Sequence, residues 1–266
     1  MNNQLSRQQI ESYRENGFIV IPDFLTADEL EPWRAAVEEA VSTRGDLRIP
    51  DRPQLNADPD DYYTQVFVQR VNLWQTCPRI KPLILDARIG KMCCQLEGID
   101  GVRVWHDQAL IKQPWANQTG WHLDNPYWSF TSRHSISIWV ALDDATLQNG
   151  CLYFLPGSHR EGTAQNTQIG PNLGDLFRHY PQWATRDAVA APMKAGSCSF
   201  HNGLLAHGAG ANFTPRPRRA MTCAFMPDGA TFNGTQNILT DDQVARLKVG
   251  QPMDDDEQNP IVHRRE

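Results

Sequence analysis

Residues 135–155 read SISIWVALDDATLQNGCLYFL. Two short runs, 135–142 and 151–155, are rich in Ile, Val, Trp, Phe, Tyr and Cys, the composition of strands. Asn149-Gly150 lies between them and reads as a hairpin signal, because both positions of such a turn need positive φ. Runs of the same kind occupy 102–111, 197–201 and 220–226, separated by Gly, Pro and Asn. From Gly101 onward the pattern predicts an all-β barrel or sandwich, a mainly β fold.

Ahead of this core the chain reads helix, strand, helix. Ser6-x-x-Gln9 and Thr26-x-x-Glu29 each fit the capping box, in which two side chains satisfy free N–H groups at a helix start. Leu30, Trp33, Val37 and Val41 recur at helical spacing over 27–42. Phe18 to Ile21, ended by Pro22-Asp23, reads as a strand. The stretch 48–63 is rich in Pro and Asp and reads as a loop. One helix is expected over 79–96, with Pro82 tolerated in its first turn. Residues 161–191 are weakly patterned and read as an insertion or lid, and the tail from Gln251 as disordered. The division is therefore one domain over 1–266, with helical support at 1–100, a β core at 101–230 and a C-terminal segment at 231–266.

Composition narrows the function. With 25 basic and 31 acidic residues the net charge is −6, and no basic stripe marks a nucleic-acid or membrane surface. No apolar run reaches the ~18 residues a membrane helix needs. The N-terminal residues lack the apolar core of a signal peptide. Six cysteines without a C-x-x-C pair argue against a cysteine zinc site. Reduced thiols in the cytoplasm are expected, a compartment that also keeps iron ferrous.

The chemistry is carried by Trp121-His122-Leu123-Asp124. Side chains at i and i+2 of a strand share a face, so His122 and Asp124 are expected to reach one metal from one strand. Two histidines and one carboxylate make the facial triad of non-haem Fe(II) sites, which leaves the opposite side of the metal open. The third ligand is either His201 or His207, both in the segment FHNGLLAHGAGAN at 200–212. Arg218 or its neighbour Arg219 offers a guanidinium for a carboxylate. The two point to opposite faces of a strand, so one of them faces inward. Tyr127, Trp128 and Phe130 either line a substrate pocket or pack the barrel. Arg133 and His134 meet an anionic substrate or sit in a surface loop, and Gly157-Ser158-His159 reads as a turn.

An ordered set of motifs resembles the phytanoyl-CoA dioxygenase family of Fe(II)/2-oxoglutarate oxygenases. It comprises NGFIVIPDFL at 16–25, GWHLD at 120–124, WVALDD at 139–144, NGCL at 149–152, LPGSH at 155–159 and residues 201–220. The resemblance implies a double-stranded β-helix, a cupin-like jelly roll with flanking helices. It implies Fe(II) on His122, Asp124 and His207, Arg218 on the distal carboxylate of 2-oxoglutarate, and Trp139 and Gln108 beside that cosubstrate. O2 would be the second cosubstrate, and a small molecule would be oxidised with release of succinate and CO2. Ala209 stands where some members of the family carry a serine that helps bind the cosubstrate. The carboxylate of Asp124 argues against a halogenase, in which a small residue makes room for chloride. Hydroxylation is the expected outcome, with desaturation, ring closure or bond cleavage as the alternative. A metal-binding or sensing protein without turnover is the alternative of another class. No basic cluster suits the phosphates of coenzyme A, which favours a small metabolite.

Overall fold

The computed structural model describes residues 1–50 and 61–265. The expected loop at 48–63 lies largely outside the described residues; within them, Tyr62–Gln65 forms a 3-10 turn. In chain order the elements are α1 (Arg7–Asn16), β1 (Phe18–Ile21), α2 (Ala27–Arg44), β2 (Val68–Val71), α3 (Leu73–Thr76), α4 (Lys81–Ile84), α5 (Ala87–Glu97), β3 (Gly101–Lys112), β4 (Thr119–His122), β5 (Ile136–Ala141), β6 (Leu152–Phe154), β7 (Val189–Ala191), β8 (Cys198–Asn202), β9 (His207–Ala209), β10 (Arg218–Pro227), α6 (Asp241–Arg246) and β11 (Ile261–Arg264).

Both expected capping boxes form, at Ser6 and at Thr26, and Gly17 in the left-handed region closes α1. The helix expected over 79–96 is instead two. Asp86 turns its carboxylate onto the N–H of Arg88 at 2.9 Å and starts α5 afresh, two residues after α4 ends at Ile84. A short polar side chain that bonds nearby backbone competes with helix continuation.

The strands form two antiparallel sheets. The larger runs β1-β8-β5-β10-β3-β11 with β2 also on β3, and the smaller runs β4-β9-β6-β7. This is the double-stranded β-helix. One face of the large sheet carries Val104, Ile138, Val140, Phe200, Met221 and Cys223. It buries them against Trp33 and Val37 of α2 and Ile89 and Met92 of α5. The other face turns Trp139, Ala141 and Ala220 toward Leu152, Phe154 and Ala209 of the small sheet. Strand β5 is buried along its whole length, which explains why all of its residues but Ser137 are apolar.

The hairpin expected at Asn149-Gly150 is absent. Both edges of β5 are taken by β8 and β10, so the chain crosses to the other sheet before β6 begins. The dipeptide still turns: Cys151 N–H reaches Thr146 O at 2.9 Å, and only Gly150 has positive φ, at 90°. The tail is likewise ordered, against expectation. Its strand β11 pairs with β3, while Asn259 is buried and donates to Val104 O at 2.9 Å. Polar and charged residues there hid a strand that adds to an existing edge. No helix among the described residues is long and apolar enough to cross a membrane.

Segment 161–191 is no loose flap. Leu176, Tyr180 and Trp183 are buried with Leu123, Leu155 and Leu204, and Tyr180 stacks on Trp183 at 3.8 Å. Trp183 also donates its indole N–H to Glu161 at 2.9 Å. Trp183→Ala is expected to lower unfolding free energy by about 3–5 kcal/mol, measured by urea denaturation. A change near zero would mean that this segment does not share the core.

Candidate metal centre

Strands β4 and β9 set the site. In their register His122 lies directly opposite His207, and the two rings sit 4.2 Å apart between centroids. Gly208 permits this closeness, since a Cβ there would come within 2.7 Å of Thr119 O. Asp124 is not on the strand, contrary to the expectation that it shares a strand face with His122. Strand β4 ends at His122, and Asp124 is helical in backbone, with φ −81° and ψ −51°. The N–H groups of Asp124 and Asn125 both reach Gly203 O, at 3.0 and 2.8 Å, and this pins the turn. A turn, rather than the two-residue strand repeat, brings the carboxylate round.

Asp124 Oδ1 lies 3.5 Å from His122 Nε2 and 3.7 Å from His207 Nε2. Among the described residues this is the one group of three such side chains whose donor atoms all lie within 4.8 Å. The tautomers follow from the neighbours. His122 Nδ1 faces Gly120 O at 2.9 Å, and His207 Nδ1 faces Leu205 O at 3.0 Å. A carbonyl only accepts, so each Nδ1 carries the proton and each Nε2 presents a bare lone pair. Two lone pairs and a carboxylate oxygen therefore converge in a buried spot. Burial opposes ionisation of Asp124, but protonation of His207 and His122 and the hydrogen bond from His201 would hold its carboxyl well below the usual range. Burial pushes His207 down to about 3, and His122 adds to this. Such a set suits a divalent first-row metal such as Fe(II), and the backbone carbonyls orient its imidazoles.

The structure separates the two candidate histidines. His201 turns its Nε2 to the other oxygen of Asp124, Oδ2, at 3.3 Å, and is not one of the three converging groups. It also separates the two arginines. Arg219 points outward into a two-pronged pair with Asp143, at 2.9 and 2.8 Å. Arg218 is buried in the barrel. Its Nη2 donates to Gly150 O at 3.1 Å, while Nε and Nη1 have no partner among the described residues. Its guanidinium lies 5.1 Å from the centre of the Trp139 ring. Burial lowers its pKa to about 10, so it remains charged at neutral pH. A charged fork with two unused N–H groups fits a carboxylate.

The triad, Arg218, Trp139, Gln108 and Ala209 all line one cavity of about 530 Å³. Gln108 is oriented by Gln69, whose amide donates to its Oε1. Tyr127 and Trp128 line the same cavity, whereas Phe130 packs against Trp105 and Trp128 beneath it. Arg133 and His134 do not reach it; Arg133 bonds His159 O and Arg160 O, and His134 faces Glu97. Gly157 has φ 76° and opens a 3-10 turn, as its sequence suggested. From the insertion come Gln168 and Ile169, and Asn166 grips the backbone of Leu123 from both sides, at 3.1 and 2.7 Å.

Several lining residues escaped the sequence reading: Tyr63, Phe67, His106, Ser137 and Thr222. Ser137 was within reach of it, because it stands two residues from Trp139 on β5 and so shares its inward face. Tyr63 lies in a short turn and Phe67 just after it, where no periodicity carried a signal.

His106 gives the cavity a pH signature. Burial lowers its pKa to about 4, and its Nδ1 is buried without a partner among the described residues. An unfolded histidine takes its proton near pH 6.5, so stability is full above that pH and falls progressively toward pH 4. Between pH 7 and pH 4.5 this one group is expected to remove about 2–3 kcal/mol. Urea denaturation at both pH values should show His106→Gln losing less than the wild type; equal losses would refute the assignment.

The sequence pattern of the phytanoyl-CoA dioxygenase (PhyH) family matches residues 13–220. Phytanoyl-CoA dioxygenase of Arabidopsis thaliana is 23% identical over 280 residues, covering 94% of this chain and 96% of its own. A methylphosphonate hydroxylase of Gimesia maris is 26% identical, covering 83% of this chain and 80% of its own. Among solved structures, the non-haem α-ketoglutarate-dependent carbocyclase SnoK of nogalamycin biosynthesis superposes with a TM-score of 0.79 at 27% identity. That match covers 97% of this chain and 96% of SnoK. The chain thus belongs to the phytanoyl-CoA dioxygenase family.

Proposed function

We propose that this protein is an Fe(II)- and 2-oxoglutarate-dependent dioxygenase that hydroxylates an unactivated C–H bond of a small metabolite. One observation carries the reading. Two bare imidazole nitrogens and one carboxylate oxygen converge in the same cavity as a buried arginine with two unused N–H groups. A metal answers the first set and a carboxylate the second. Bound Fe(II) with 2-oxoglutarate and O2 supplies the oxidising power: one oxygen atom goes to the substrate and the other to succinate, with loss of CO2.

The chain's own residues bind, orient and enclose. His122, Asp124 and His207 would hold the metal. Arg218, backed by Trp139, would take the distal carboxylate of 2-oxoglutarate, and Gln108 would donate from the adjoining strand. Thr119 lies opposite Ala209 in the β4–β9 register and lines the same cavity, so its hydroxyl would stand in for the missing serine. Tyr127, Trp128, Ile169 and Ile238 give the substrate side aromatic and apolar walls that exclude water. We read 1–266 as one oxygenase domain with 161–191 packed across the cavity as a lid. All six cysteines are unpaired and buried, which supports a reducing, cytoplasmic setting.

The likeness to a carbocyclase supports ring closure as the second outcome, which loses two hydrogens where hydroxylation adds an oxygen. Product mass separates them. The converging triad, with the unused Nε and Nη1 of Arg218 beside it, argues against a binding protein without turnover.

Metal-free protein given Fe(II) and 2-oxoglutarate without oxygen is expected to develop the weak visible charge-transfer band of the chelate. His207→Ala should abolish the band. Arg218→Ala should demand about 10- to 100-fold more 2-oxoglutarate, the loss expected for a charged hydrogen-bond partner. No band in folded wild-type protein would overturn the proposal.

A further inference from the structure

His201 is the third histidine of this barrel, and its geometry differs from that of the other two. It stands on β8 directly opposite Ser137 of β5. Its Nε2 lies 3.3 Å from Asp124 Oδ2, and the Ser137 hydroxyl reaches the same oxygen at 3.4 Å. A carboxylate oxygen only accepts, so both neighbours donate and the His201 proton sits on Nε2. Its Nδ1 is then an acceptor, buried without a partner among the described residues. A histidine kept only for structure would be expected to satisfy both nitrogens. This one makes a single hydrogen bond, to the carboxylate, while the rings of Phe154 and His207 pack against it at 5.6 and 4.6 Å between centroids.

The two oxygens of Asp124 therefore have separate surroundings. Oδ1 faces the bare nitrogens of His122 and His207. Oδ2 faces two donors on the opposite side. The geometry points to His201 as a positioning residue that, with Ser137, keeps Oδ2 engaged so that Asp124 offers the metal one oxygen. This rests on the reading of His122, Asp124 and His207 as ligands. The consequence lies in the count of open positions. A six-coordinate metal with three protein donors keeps three positions. A two-pronged cosubstrate would need two of them and O2 one. A carboxylate bound through both oxygens would remove one, and the cosubstrate or O2 would be excluded.

The test uses full-length protein and two substitutions. His201→Phe keeps the ring and removes the donor, whereas His201→Gln restores an N–H donor. Co(II) is titrated into metal-free protein without oxygen, its visible spectrum is recorded, and 2-oxoglutarate binding to the Co(II) form is measured by calorimetry. The expected result is metal binding about 10- to 100-fold weaker in His201→Phe, the usual loss when a ligand's supporting partner is removed. It should come with an altered Co(II) spectrum, weaker 2-oxoglutarate binding and recovery of all three in His201→Gln. Ser137→Ala should shift the same quantities in the same direction, and serves as the probe if His201→Phe does not fold. Wild-type behaviour from both His201→Phe and Ser137→Ala would overturn the proposal while leaving the ligands intact. Failure of the wild type itself to bind Co(II), or binding that survives His207→Ala, would instead overturn the ligand reading beneath it.

Discussion

The backbone pairing of His122 on β4 with His207 on β9 is the constraint on which the site depends. Directly opposed residues of an antiparallel pair put their side chains close together on one face, here as two imidazoles 4.2 Å apart. A slip of one residue would send one ring to the far face of the sheet. Gly208 lets the strands approach, and Gly203 supplies the carbonyl that turns Asp124 inward. The rest of the barrel holds this corner rigid. The large sheet is clamped between helices and the small sheet, and the 161–191 segment packs Leu176 and Trp183 onto Leu123, between the histidine and the aspartate.

Polar groups in the barrel are deliberately incomplete. Burying a charged or hydrogen-bonding atom without a partner costs roughly 1–3 kcal/mol or more. Arg218 leaves two N–H groups unused, and His106 and His201 each leave one nitrogen. Other buried or half-buried charged and amide groups are closely paired: Arg219 with Asp143, Arg103 with Asp228, Asn259 with Val104 O. Among the unsatisfied atoms, Nε and Nη1 of Arg218 belong to a residue that lines the cavity, where a carboxylate would complete them.

The fold was largely legible because β5, β8 and β10 carry their strand character in composition, and because Ser6 and Thr26 carry complete capping boxes. Their pairing was not. Asn149-Gly150 turns the chain locally, but which sheet receives β6 is decided by β8 and β10 occupying both edges of β5. The tail failed for a similar reason: a polar strand is stabilised by the edge it joins, which its own residues do not announce. At the site, alternation along β10 separated Arg218 from Arg219 in principle, and the resemblance chose between them. His122, Asp124 and His207 were readable as a set, yet the expected strand geometry for Asp124 was wrong. Its position comes from Gly203, some eighty residues away. His201 and His207 were not separable by spacing, because the difference lies in which nitrogen faces a carbonyl and which faces Asp124.

The most direct measurement is diffraction on either side of the iron absorption edge, from crystals grown without oxygen in Fe(II) and 2-oxoglutarate. The expected map holds one anomalous peak bonded by His122 Nε2, His207 Nε2 and a single oxygen of Asp124, with a carboxylate on the two free N–H groups of Arg218. A peak ligated by His201 in place of His207, or no peak and no carboxylate on Nε and Nη1 of Arg218, would contradict the assignment of this barrel as an iron and 2-oxoglutarate site.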